Sequence, residues 1–263
     1  MSIQRKELSN ELNIVAKRVA NLIQFSDTTT PIPNSQWTVG DAAAHLVISQ
    51  RLARSILHGE KSPYGEGSPD FIAEVNKKYL QEFTERSGSI LASMLLEEVN
   101  SFLKETKKFS DKNILPTHYG SMDILLGISY CLSHLLGHGC AIANALGKPL
   151  PVRIQHIRIT IPFLKMIMLR VYDKKAALNL NASFVIDMRG IEKIVIICDA
   201  KGAKIENHIP KIVDCYISVD PLSFFLVTNG LVPQWKAFIT GKLILWGKRP
   251  WLVFKLKTLF PSP

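Results

Sequence analysis

The chain has 263 residues, 47% of them hydrophobic and 21% charged, which suits a globular protein with a sizeable core and excludes a disordered or low-complexity chain. Its net charge of +10 is uneven: residues 1–150 hold 15 Lys+Arg against 15 Asp+Glu, so the whole excess lies in residues 151–263, with 17 against 7. Such a basic second part can meet nucleic acid, anionic lipid or acidic small molecules, but no RNP-like run, zinc-finger spacing or regular basic helix accompanies the charge, and no nucleic-acid partner is expected.

In chain order, Leu8, Leu12, Val15, Val19 and Leu22 recur at helical spacing and predict a first helix over about 3–25. That segment is charged and amphipathic, unlike a secretory signal, and the four cysteines lack CxxC spacing. Reduced thiols and a cytoplasmic location are therefore expected. After "SDTTTPIPNSQ", Thr38 with Asp41 three residues on opens a second helix to about His58. Residues 70–108 are helix-forming with a break at Ser87-Gly88-Ser89, and Ser121–Leu146 predicts a last long helix stopped by Gly147 and Pro149. The expected architecture is a two-domain chain: an all-α four-helix bundle over 1–150, then an α+β domain over 151–263. In the second part "NASFVIDMRG", "EKIVIICDAKG", "AKIENH" and "DCYISVD" read as strands of a mostly antiparallel sheet, with helices at 161–173, 221–229 and 249–260.

Residues 124–147 run without a charge and are long enough to cross a bilayer. However, Gly127, Cys131, His134, His138 and Ala141 share one helical stripe, as in a core helix that borders a pocket. His134 and His138, four apart, point the same way and can reach one metal ion. His45 lies on an apolar face of the second helix and could complete a three-imidazole site with an open coordination position; three unrelated core histidines are the alternative. Asp41, one turn before His45, could orient its ring or act as an ordinary N-terminal helix carboxylate. His58 reads as a helix C-terminal contact, and His118, His156 and His208 as surface residues in loops. The second part shows no catalytic constellation, and no residue is singled out as catalytic. It has ample apolar surface, including Phe163, Ile167, Phe224 and Phe225, which closes a core or lines a lipid-sized cavity.

"WTVGDAAAHLV" followed by "HLLGHGCAIANALGKPLPV" resembles the mycothiol-dependent maleylpyruvate isomerase family, a branch of the DinB-like metal-binding four-helix bundles, over roughly residues 10–150. The resemblance implies that His45, His134 and His138 hold a divalent metal, zinc by preference, and that mycothiol is a co-substrate. His134 stands where that branch commonly has a carboxylate, matching the all-histidine triad of other DinB-like proteins, and Ala141 stands where it has Asp. From about residue 155 onward, "DCYISVDPLSFFLVTNGLVPQWKAFITGKLILWGKRPWLVFKLKTLF" looks like the close of a sterol-carrier-protein domain, which encloses an apolar tunnel. Trp246, Arg249 and Trp251 replace its usual small or acidic loop and would form a basic, aromatic rim for an anionic head group.

Two functions follow as expectations. One is a metal-dependent, thiol-using isomerase or S-transferase acting on a small electrophilic substrate. The other is a carrier of lipid or another apolar molecule, able to meet an anionic membrane surface through the basic domain, with a non-catalytic metal in the bundle.

Overall fold

The first helix, α1 (Arg5–Gln24), buries Leu8, Leu12, Val15, Val19 and Ile23 along one face. That is the apolar spacing of the sequence, with Ile23 in place of Leu22. α2 (Val39–Leu57) starts from a capping box in which Thr38 Oγ1 accepts from the backbone of Asp41 and the Asp41 carboxylate accepts from the backbone of Thr38. α3 (Pro69–Glu82) and α4 (Gly88–Thr106) follow, with residues 83–87 between them, and α5 (Ile124–Ala145) is the long uncharged helix. α1 and α2 each pack on both α4 and α5. In α5 the apolar residues Ile128, Leu132, Leu135, Leu136 and Ile142 are buried among these neighbours, so the helix has the length and composition of a membrane span but serves as core. Gly139 makes close packing possible, because a Cβ there would meet Val19 Cγ2 of α1 at 2.6 Å. Gly147, at φ +61°, takes the left-handed conformation that ends the helix.

The computed structural model describes residues 5–65, 67, 69–149 and 151–261, and the chain divides into two units, Met1–Val152 and Arg153–Pro263. The first unit is not all-α. β1 (Ile114–Thr117) and β2 (Gly120–Asp123) form an antiparallel hairpin just before α5. Residues 121–123, expected to start the helix, are strand instead: Asp123 is the N-cap, its side chain accepting from Leu126 N–H at 2.8 Å, so the helix starts only after it.

In the second unit, α6 (Ile154–Arg170) precedes β3 (Asn181–Met188), β4 (Glu192–Asp199), β5 (Gly202–Glu206) and β6 (Cys215–Val219). Then come α7 (Pro221–Thr228), α8 (Gln234–Ile239), β7 (Leu243–Trp246), a 3₁₀ turn (Pro250–Lys255) and α9 (Leu256–Leu259). The sheet order is β5-β4-β3-β6-β7, antiparallel except for the central parallel pair β3/β6. α6 begins seven residues before the expected start. Pro162 sits inside this helix, and His156 Nδ1 accepts from Arg153 N–H at the true N-terminus. His156 is therefore fully buried, which corrects the surface reading.

Candidate metal centre

α2 and α5 carry the three histidines into one place. The buried run Ala42-Ala43-Ala44 has side chains small enough to bring α2 close to its neighbours, and His45 follows it, only 4% exposed. His134 and His138, one turn apart on α5, are half-buried. The three rings lie 4.6–5.0 Å apart by centroid, and one nitrogen from each falls within 4.8 Å of the others. His45 Nε2 and His134 Nε2 are 3.1 Å apart. Three nitrogens around one zinc, at about 2.0–2.1 Å each, would stand roughly 3.3 Å from one another, so small side-chain adjustments suffice.

Electrostatics keeps these rings neutral. Burial pushes His45 and His134 well below the ordinary imidazole value, and the neighbouring imidazoles push the same way. Burial alone takes His138 down to about 4. The rings thus offer lone pairs at neutral pH, the form a metal needs. His134 Nδ1, the ring nitrogen that does not face His45, is buried with no hydrogen-bond partner among the described residues, a costly condition. The three neutral imidazoles are a donor set that fits a divalent cation accepting imidazole nitrogen.

Asp41 does not support His45. Its carboxylate accepts from Thr38 N–H at 3.0 Å, from Thr38 Oγ1 at 2.9 Å and from Arg86 Nε at 3.0 Å. Burial works against its charge, but these bonds outweigh it and hold the carboxyl below its usual range. The reason is positional: at the third residue of the helix the side chain turns back to the cap, away from the following turn. Three residues that spacing analysis passed over do stand at the site. Trp37 lies 4.8 Å from His45 and 5.7 Å from His138, ring to ring; Ser49 Oγ is 3.4 Å from His45 Nε2; and the Tyr130 ring is 5.8 Å from His134. Ser49 and Tyr130 sit at i+4 and i−4 from histidines, a signal present in the sequence.

His118, expected on the surface, sits instead in a ring cluster with Tyr64 at 4.8 Å, Tyr119 at 3.9 Å and Tyr130 at 6.3 Å, and burial lowers it to about 4. His58 reaches Glu105 on the surface of the first unit at 2.6 Å, and His208 is exposed. In the second unit Phe163, Ile167 and Phe225 are buried, and Phe224 is half-buried. Trp246 stacks on Tyr216 with centroids 4.1 Å apart, and Trp251 is 61% exposed. Arg249 is not free to meet a head group. Its Nε donates to Asp214 Oδ1 at 2.9 Å and its Nη2 to the Asn181 carbonyl, because the turn after β7 folds it back onto the sheet.

No family model and no curated protein matches the sequence. The fold does match that of solved structures. "Crystal structure of the mycothiol-dependent maleylpyruvate isomerase" aligns with a TM-score of 0.52 and 11% identity, covering 88% of this chain and 91% of that one. A histidine-to-alanine mutant of the mycothiol-dependent maleylpyruvate isomerase aligns at 0.53 and 12%, covering 87% and 91%. The chain therefore shares that overall fold, both units included.

Proposed function

We propose that this protein is a metal-dependent, low-molecular-weight-thiol-using isomerase or S-transferase, built from a DinB-like bundle and a sterol-carrier-like α+β domain. The observation that carries the reading is the convergence of His45, His134 and His138, one nitrogen of each within 4.8 Å of the others. Mycothiol as the thiol comes from the sequence resemblance and from the name of the structural neighbour.

In this reading the three imidazoles hold zinc, or another divalent ion of similar preference, through neutral nitrogens. When bound, the ion supplies a positive charge that lowers the pKa of a thiol brought to it. Trp37 covers the His45 and His138 rings and keeps bulk water from that side. Ser49 Oγ, beside His45 Nε2, restrains the orientation of that ring. The thiol gives up its proton to water, and the thiolate adds to one carbon of a conjugated C=C of the substrate, the π pair passing to the adjacent carbonyl as an enolate. Rotation about the new single bond and return of that pair, expelling the thiolate and re-forming the double bond, gives isomerisation; protonation of the enolate carbon from water instead keeps the C–S bond and gives transfer. Ala141, where the isomerase branch has Asp, leaves that helical position without a carboxylate and weighs against the isomerase's own chemistry. The four cysteines are free and buried, in keeping with a reducing, cytoplasmic setting. The test is thiol consumption with a panel of electrophiles: wild type is expected to accelerate it and His138→Ala to fall to the uncatalysed rate, whereas equal rates would defeat the reading.

A second reading has its own observation. Trp235 and Ile239, one turn apart on α8, and Trp251 and Phe254, three apart on the 3₁₀ turn, are 58–74% exposed, with Lys236, Lys255 and Lys257 nearby in sequence. Such a surface suits an anionic bilayer and a carrier of apolar molecules. Co-sedimentation with phosphatidylserine-containing vesicles, weakened by Trp251→Ala and by salt, is the expected result.

A further inference from the structure

The two ends of the histidine cluster differ. Trp37, just before α2, lies against the His45 and His138 rings. It is held there by Ile32 N–H donating to the Trp37 carbonyl at 2.9 Å and by Val39 N–H donating to the Thr30 carbonyl at 2.8 Å. At the other end Ser49, one turn after His45, and Tyr130, one turn before His134, share a cleft that continues to Ala53 and Gly127. α2 and α5 thus pass the histidines in opposite senses, with Trp37 and Ser49 at opposite ends of the cluster. The cleft has room for about one water, so it does not take the body of a small molecule. What meets Ser49 is the ligating atom of a molecule whose remainder lies outside the cleft.

His45 Nε2 faces His134 Nε2 at 3.1 Å and is therefore one of the atoms that would hold the ion. Ser49 Oγ lies 3.4 Å from that same nitrogen. Other helical hydroxyls of this chain turn back to a carbonyl three or four residues before them: Thr106 donates to Leu103, Thr160 to His156 and Thr228 to Phe224. Ser49 turns to the imidazole instead. We infer that Ser49 is a positioning residue, whose hydroxyl donates a hydrogen bond to the sulfur of a thiolate at the open coordination position and so favours an anionic ligand there over a neutral one. The inference rests on the thiol-dependent reading for the sulfur, and on the place of Ser49 for the rest.

Lone pairs decide where the hydrogen goes. In the metal-free protein the unprotonated His45 Nε2 can accept it, but once a metal takes that lone pair the nitrogen accepts nothing. The hydroxyl still rests beside the His45 ring, and its hydrogen needs another acceptor. A thiolate sulfur is one, and a hydrogen bond made to the charged form stabilises it against the neutral thiol. A ligand that presents no acceptor gains nothing from Ser49.

The test uses the full-length protein loaded with cobalt(II), whose bond to a thiolate gives a near-ultraviolet charge-transfer band, and 2-mercaptoethanol as the thiol. Ser49→Ala is expected to take up as much cobalt as wild type and to bind the thiol about tenfold more weakly. Its band should move to longer wavelength, because the lost hydrogen bond no longer lowers the energy of the sulfur lone pair. Ser49→Thr, which keeps the hydroxyl, is expected to bind the thiol within about threefold of wild type. Imidazole, which offers no acceptor once coordinated, is expected to bind wild type and Ser49→Ala within about twofold of each other. A Ser49→Ala protein that binds the thiol as tightly as wild type with an unshifted band, or that loses thiol and imidazole equally, would overturn the inference. Cobalt-loaded wild type that shows no such band would remove the thiol-dependent reading itself, and the inference with it.

Discussion

Asp214 in the second unit and the three histidines in the first are both polar groups drawn away from water, yet they are satisfied in opposite ways. Asp214 accepts from Arg249 Nε at 2.9 Å, from Ser183 N–H at 2.9 Å and from Ser183 Oγ at 3.2 Å, while its own N–H donates to Ser183 Oγ at 3.0 Å. This network closes on itself and ties β3 to the turn after β7. The histidines face one another with neutral rings, and His134 Nδ1 lacks a partner. A closed network needs nothing further and is structural. An open one costs stability as it stands, and such a cost persists where a ligand offsets it.

The largest contrast should appear when each cluster is disarmed. Asp214→Ala leaves the Ser183 N–H and the Arg249 guanidinium without their acceptor, and is expected to lower the unfolding free energy by about 1–3 kcal/mol in urea titrations. Metal content should stay at the wild-type level. His134→Phe replaces the orphaned nitrogen with an apolar ring of similar size. In chelator-treated protein it is expected to leave stability within about 1 kcal/mol of wild type, or raise it. A loss as large as that of Asp214→Ala would mean that the histidines form a structural cluster.

The smallest effect is in pH. His118 has a folded-state value of about 4 against an ordinary 6.5, through burial. Between those values the unfolded chain holds its proton and the folded chain does not. Its contribution to stability is therefore complete above about pH 6.5 and is lost as the pH falls through about 4. Burial raises the Asp214 carboxyl, but Arg249 and Ser183 outweigh it and hold it below its ordinary 3.8, so its contribution disappears only at more acid pH. Metal-free His118→Gln should accordingly reduce the fall in urea midpoint between pH 6.5 and 4, the three triad histidines keeping their own share of it, and leave the more acidic part unchanged.

The two helices that carry the histidines were legible because an apolar stripe at period 3.6 and a capping box are local signals. The convergence of His45 with a pair some ninety residues away was suggested by the apolar face around it, and the packing of α2 on α5 supplies the contact. What escaped had competing local signals. Residues 121–123 border a long apolar run and were absorbed into it, although Asp123 caps the helix that follows and the strand before it pairs back to Ile114. The helix expected from residue 161 starts at Ile154, and with that boundary His156 passes from loop to core. Arg249 reads by its charge as a rim residue, whereas the turn after β7 folds it back onto Asp214 and the Asn181 carbonyl; Asp41 takes the helix-terminal role that its spacing from Thr38 indicates.

The central claim is that the three histidines bind a metal, and metal analysis of purified protein addresses it most directly. Wild type beside His138→Ala should give about one equivalent of a divalent metal, zinc foremost, against less than about a tenth for the variant, both remaining folded. Wild-type protein that takes up less than about a tenth of an equivalent even after incubation with zinc, or a variant that retains the full equivalent, would contradict it.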